Sequence, residues 1–191
     1  MTGKRNASSR ERLILSGLRL ISESGISAFS LRAVAADCGL SCAAPYRHFK
    51  NKDDLLLAIL RYIHDAWHKV QNAIIIEEKD DVRKCLIRIC IAYIRFLFEN
   101  PSFRAIIMSG DDRMPPEQKR LMGQLSERTM GLVLAYVADA GLSEEAAYRK
   151  TVLIRALLYG YAFMLSSGDL PATEESYDLL ERMISREFDL S

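Results

Sequence analysis

The stretch Ser30-Leu31-Arg32-Ala33-Val34-Ala35-Ala36-Asp37-Cys38-Gly39-Leu40-Ser41-Cys42-Ala43-Ala44-Pro45-Tyr46-Arg47-His48-Phe49-Lys50-Asn51-Lys52 decides the fold of this chain. Ser30 stands where a helix N-cap belongs, and Leu31, Val34, Ala35 and Cys38 come after it at helical spacing. Gly39 tolerates positive φ, so the first helix stops there. Leu40 is apolar and can plug between two helices. Ser41 is placed to cap a second short helix that runs to about His48. Ala35 permits close helix–helix approach. Two short helices about such a turn make a helix-turn-helix over about residues 30–49, its second helix available to a DNA major groove. Pro45 lacks the N–H that would bond the Ser41 carbonyl, so that helix is expected to begin late or with a 3₁₀ turn.

Helical signals continue on both sides. Upstream, Ser8 and Glu11 form a capping box ahead of an apolar face made by Leu13, Ile14, Gly17, Leu18 and Ile21, and Gly25 ends that helix. Downstream, Asn51 and Asp54 open a long helix with the stripe Leu55, Leu56, Ile59, Leu60, Ile63 and Trp67. Further helices are expected over 82–99, 102–109, 117–140, 144–167 and 173–188. The breaks fall at Asn100-Pro101, Gly110–Pro116, Gly141 and Gly168–Pro171. The pattern contains no strand alternation, repeat or low-complexity tract, so the fold class expected is all-α.

With 191 residues, 49% of them hydrophobic and 27% charged, the chain has the material for a sizeable core. It lacks the run of about 20 apolar residues that would span a bilayer. Residues 1–12 lack the apolar centre of a signal peptide, and no membrane role is expected. Cys38, Cys42, Cys85 and Cys90 form no CxxC pair and read as ordinary thiols of a cytoplasmic protein. Charge is unevenly spread. Residues 1–52 hold nine basic and three acidic side chains, a net +6, which leaves −5 for the rest of a chain whose total is +1. A basic head on an acidic body is the pattern of a DNA-binding unit joined to a separate partner domain.

These residues resemble the tetracycline-repressor (TetR) family. The resemblance runs from about Ala7 to Trp67. It rests on Ser30-x-x-x-Val34-Ala35, on Gly39-Leu40-Ser41, and above all on Tyr46-Arg47-His48-Phe49 with Lys50-Asn51-Lys52 directly after it. It implies an N-terminal three-helix helix-turn-helix DNA-binding domain over residues 7–67, and a C-terminal helical domain over 68–191 that binds a ligand and dimerises. Ser30, Tyr46 and Lys52 match phosphate contacts of the family, a role that suits a hydroxyl at a helix start and a lysine. Arg32 and Arg47 are the side chains best able to grip a guanine edge. Ser41, Cys42, Ala43, Ala44 and His48 complete the expected DNA surface. Cys42, Ala43 and Ala44 carry few hydrogen-bonding groups where base readers are expected. Close apolar contacts, for instance with thymine methyls, are expected there, with shape readout adding to the arginines.

The resemblance further implies a homodimer built through the helices at about 144–167 and 173–188, where Val152, Ala156, Tyr159, Gly160, Phe163 and Ser167 share a face. A single short recognition helix reads few base pairs, and a two-fold dimer doubles the contacts on a palindromic double-stranded operator. It also implies an unknown small-molecule effector. Trp67, Tyr93, Phe96, Phe103, Met108, Met122 and Tyr136 are the candidates to line its pocket, with Arg104 and Arg155 available to an anionic ligand.

No enzyme is expected. His64-Asp65-Ala66-Trp67-His68 spaces two histidines as in HExxH, but Asp65 replaces the glutamate and no third ligand stands near. A phosphate loop, a Gly-x-Ser-x-Gly elbow and a Glu-x-x-His pair are all lacking. Neither a metal nor a cofactor is called for. The function expected is a ligand-responsive DNA-binding regulator, a repressor released by its effector. The alternative is a helical protein-interaction module without specific operator binding.

Overall fold

In the computed structural model residues 8–107 and 115–189 are described, and every regular element among them is helical. The chain order is α1 (Ser9–Ala28), α2 (Leu31–Asp37), a 3₁₀ turn (Pro45–Arg47), α3 (Lys52–Glu77), α4 (Val82–Glu99), α5 (Pro101–Ile107), α6 (Pro116–Asp139), α7 (Glu144–Ser167) and α8 (Glu174–Glu187). Most ends form where local chemistry asks for them. The hydroxyl of Ser8 accepts from the Glu11 N–H at 3.2 Å, that of Ser30 from Ala33 at 3.1 Å, and that of Ser143 from Ala146 at 3.3 Å. Asn51 accepts from the Asp54 N–H at 2.9 Å, while the Asp54 carboxylate reaches back to the Lys50 N–H, also at 2.9 Å. Inside α1 the backbone breaks at Gly25, with φ 77° and ψ 166°.

The contacts sort the chain into two compact units, and the chain passes from one to the other three times. One gathers the residues up to Asp65 with Asn100–Met122; the other gathers Ala66–Glu99 with the residues from Gly123 onward. The sequence alone suggests a single boundary at 67. The added segment in the first unit is α5 and the start of α6, and α5 packs along α1. Helices α3 and α6 each supply residues to both units.

The first unit buries Leu13, Ile14, Leu18 and Ile21 of α1 with Leu31, Val34 and Ala35 of α2 and the apolar stripe of α3 from Leu55 to Ile63. Gly17 matters to this packing: a Cβ there would lie 2.7 Å from Ile59 Cδ1 and 3.1 Å from Phe29. In the second unit α4 packs on both α7 and α8, and α7 on α8. Polar ties hold α8 down. Tyr136 donates to the Phe188 carbonyl at 2.9 Å, Lys150 to the Glu187 carbonyl at 2.8 Å, and Arg83 to the Ser185 carbonyl at 3.0 Å. Arg95 pairs with Glu174 and lies 3.9 Å above the Tyr177 ring.

One polar cluster fixes α2 against α1. The carboxylate of Asp37, in the last turn of α2, accepts from the Ser16 hydroxyl at 2.5 Å and from the Arg19 guanidinium, which also pairs with Glu23. Those bonds, the Ser16 hydroxyl first and Arg19 second, lower the Asp37 pKa below its ordinary value. A depressed folded-state pKa means that the cluster stabilises above the ordinary aspartate range, about pH 4, and that this contribution fades as pH falls through the lowered value. Asp37→Asn should therefore lower Tm at neutral pH, with the gap to wild type narrowing below about pH 4 in thermal melts. A gap independent of pH would show that the carboxylate charge plays no part.

Candidate nucleic-acid interface and effector cavity

Helix α2 ends in a Schellman motif. The Leu40 N–H bonds the Ala35 carbonyl at 2.9 Å and the Gly39 N–H bonds that of Ala36 at 3.0 Å, with Gly39 at φ 66°. Residues 41–48 depart from the expected second helix. The Ser41 carbonyl accepts from the Ala44 N–H at 2.9 Å, a four-residue turn, and only Pro45–Arg47 is helical, as a 3₁₀ turn. Ser41 is thus not its N-cap: Ala44 holds that position, without a side-chain bond. The cause is Pro45, which has no N–H with which to continue an α-helical ladder from Ser41.

The segment nevertheless presents one face. Pro45 and Phe49 are buried, while Ser41, Cys42, Ala43, Tyr46, Arg47, His48 and Lys50 are exposed, Tyr46 by 62%. Arg32 is exposed on α2, and Ala44 is half-buried. Ser30 spends an oxygen lone pair on its cap, which leaves the hydroxyl proton able to donate. Lys52 is more committed than expected. Its ammonium donates to the Ile26 carbonyl at 3.0 Å and lies 5.7 Å from the Phe29 ring centre, so it ties the start of α3 to the end of α1. Two basic residues join this surface that the sequence pattern does not single out. Arg12 donates to the Cys38 carbonyl at 3.1 Å, and the Arg10 guanidinium lies 5.3 Å from the Phe49 ring centre. The excess of positive charge in residues 1–52 is the only sequence signal that they belong here.

The second unit holds a cavity of about 680 Å³, counting its open mouth. Trp67 closes one wall: its indole N–H bonds the Leu125 carbonyl at 3.1 Å, and its ring packs edge-on to Tyr93, with centroids 5.1 Å apart. Helix α4 contributes Ile89, Cys90 and Tyr93; α6 contributes Thr129, Met130 and Val133; α7 contributes Thr151, Ile154, Arg155 and Tyr159. Of the residues expected to line a pocket, Trp67 and Tyr93 do so. Phe96 packs behind, 5.4 Å from Trp67 between ring centres. Phe103 does not line it: it belongs to the first unit, edge-on to Tyr62. Tyr136 does not either, its hydroxyl held by the Phe188 carbonyl. Met108 lies outside the described residues, as does the Met122 side chain. Thr151 is a cavity residue that the sequence does not single out. It is 8% exposed, and its Oγ1 has no partner among the described residues. Burial holds the Cys90 thiol neutral by raising its pKa to about 12, and burial likewise raises that of Tyr93. No cluster of three metal-ligating side chains occurs among the described residues.

On α7 the face expected at a dimer interface is exposed in the single chain: Val152, Ala156, Tyr159, Gly160, Phe163 and Ser167. Tyr148, 70% exposed, extends it, and α8 adds Leu179 and Met183.

Comparison with known proteins agrees with this geometry. Residues 13–59 match the model for bacterial regulatory proteins of the tetR family, and residues 86–186 match the tetracyclin repressor-like C-terminal domain. The chain is 31% identical over 172 residues to the nucleoid occlusion factor SlmA of Klebsiella pneumoniae, covering 86% of this chain and 84% of that protein. It is 38% identical over 64 residues to the HTH-type transcriptional regulator YerO of Bacillus subtilis, covering 33% of this chain and 22% of YerO. Against SlmA of Shewanella amazonensis it is 26% identical over 126 residues, covering 66% of this chain and 62% of that protein. In these last two cases the match spans less than two thirds of the relative. The fold is shared with a TetR family transcription regulator of Marinobacter aquaeolei, at TM-score 0.74 and 20% identity over 93% of this chain and 94% of that one. It is shared also with PfmR of Thermus thermophilus, at TM-score 0.72 and 20% identity over 99% and 97%.

Two substitutions test the interface. Gly39→Ala places a Cβ in open space, so only the left-handed backbone opposes it; urea denaturation should show a loss of about 1–2 kcal/mol. Arg47→Ala should cost about 1–3 kcal/mol on the preferred DNA sequence and relax that preference in competition gel shifts. An unchanged preference would remove Arg47 from base reading.

Proposed function

The chain belongs to the TetR family of bacterial DNA-binding transcriptional regulators, and from that membership we propose that it is a repressor, released from a palindromic operator when a small molecule fills the cavity of its second unit. As a member it is a regulator and not an enzyme. The observation that carries the proposal is the exposed, basic, aromatic-bearing face of residues 41–50, set on buried Pro45 and Phe49 beside Arg32. In this reading residues 7–67 read the DNA, and residues 68–191 hold the effector and the dimer contacts.

Exposure of Arg32, Tyr46 and Arg47 supports a division of roles. Arg32 and Arg47 approach base edges; Ser30 and Tyr46 grip phosphate; Lys52 adds a phosphate bond with the N–H donors that Ile26 leaves over. Ser41, Cys42, Ala43, Ala44 and His48 meet the groove with small or short side chains. Two copies join through the apolar faces of α7 and α8, which otherwise leave Phe163 59% exposed. The operator places this function in the cytoplasm. Among the described residues no helix is long and apolar enough to cross a membrane.

The likeness to the SlmA proteins favours a second reading, in which the DNA-bound dimer acts on the nucleoid rather than at one promoter. Genome-wide occupancy mapping separates the two: a few palindromic sites beside genes support the repressor, and many dispersed sites support the second. Binding itself is tested by gel shift with DNA upstream of its own gene across a salt series. Affinity should fall by about 10³-fold or more between ~50 and ~200 mM salt on one palindromic site. No sequence-preferring binding at low salt would leave the chain a helical interaction module.

A further inference from the structure

The chemical class of the effector can be read from the polar atoms of the cavity. Its wall is apolar where Trp67, Ile89, Val133 and Ile154 face it, and every exception is a hydrogen-bond donor. On α7, Thr151 and Arg155 lie one helical turn apart on the same face. The Thr151 hydroxyl is buried without a partner among the described residues. Such a group carries a desolvation cost that a ligand atom can relieve. Arg155 has no carboxylate partner among the described residues, and no aspartate or glutamate lines the cavity. Thr129 already accepts from Gln71 Nε2 at 2.6 Å, so its hydroxyl proton is left to donate. Burial keeps the Tyr93 phenol protonated, hence a donor, and Arg155 lies close enough for its charge to act on it. The Cys90 thiol is neutral for the same reason. The site therefore carries positive charge and spare donors, and no carboxylate to pair with a cationic ligand.

We propose that the effector is a small amphipathic monoanion, an aryl or alkyl carboxylate, whose apolar body lies on Trp67 and whose carboxylate is held by Arg155 and the Thr151 hydroxyl. A guanidinium binds a carboxylate through two parallel N–H bonds, a geometry that neither an amide nor an amine reproduces. The inference rests on the effector-responsive reading above and names the ligand of that same site.

Trp67 is the only tryptophan in the chain, so its emission reports on the cavity directly. The full-length protein is titrated with 4-phenylbutyrate, its primary amide and 4-phenylbutylamine, three probes that share one body and differ in the head. A saturable change in Trp67 emission is expected for the carboxylate, with the amide and the amine about tenfold weaker or worse. Arg155→Gln should weaken the carboxylate about tenfold and leave the amide unchanged, while Arg155→Lys restores part of the loss through its charge. Thr151→Val, close to isosteric, should cost the carboxylate about fivefold. Equal binding of all three heads, an Arg155→Gln variant with wild-type carboxylate affinity, or no saturable response to the carboxylate each overturns the proposal. A preference for the amine or the amide overturns the anionic class but leaves an effector-responsive regulator standing; failure of that broader reading shows in the gel shift instead.

Discussion

Phe49 sits beneath the exposed face of residues 41–50, and it is 2% exposed. A seven-residue helix and one 3₁₀ turn have too few hydrogen bonds to hold a shape alone. Their conformation has to be imposed by what they cover. Phe49 and Pro45, with Leu31, Val34 and Ala35 of α2, supply that apolar floor, and the first unit closes it with the faces of α1 and α3. Polar ties then act from outside: Arg12 on the Cys38 carbonyl, Ser16 and Arg19 on the Asp37 carboxylate, Lys52 on the Ile26 carbonyl, Arg10 over the Phe49 ring. The basic residues of the first unit therefore divide between holding the exposed face in place and forming it.

The parts of this structure legible in the sequence are those decided within a few residues. Ser8, Ser30 and Ser143 announce helix starts because a cap bond spans three residues, and Gly39, Gly141 and Gly168 announce ends because positive φ is a property of one residue. The recognition turn is half legible for the same reason. The missing N–H of Pro45 forecasts a 3₁₀ start, but whether any α-helix continues from it depends on the buried floor.

Long-range choices are not legible. Lys52 has the chemistry of a phosphate ligand, and no pattern tells that a carbonyl 26 residues away engages it first. Phe103 and Tyr136 have the size and spacing of cavity residues, and helical periodicity says only that they face inward, not toward which interior. Thr151 gives no signal because a threonine in a long apolar helix ordinarily bonds a nearby carbonyl; that its oxygen is left unpartnered emerges only when α4, α6 and α7 are assembled. The division into units obeys the same rule, since the return of α5 to α1 is a tertiary contact with no local cause.

The small, exposed front of the recognition turn has an evolutionary consequence. Cys42 and Ala43 project into solvent, while Pro45 and Phe49 hold the fold from below. Substitutions at the front cost the fold little, and substitutions below disturb it. Under the proposed function, operator choice can therefore change at the front over a scaffold that stays the same.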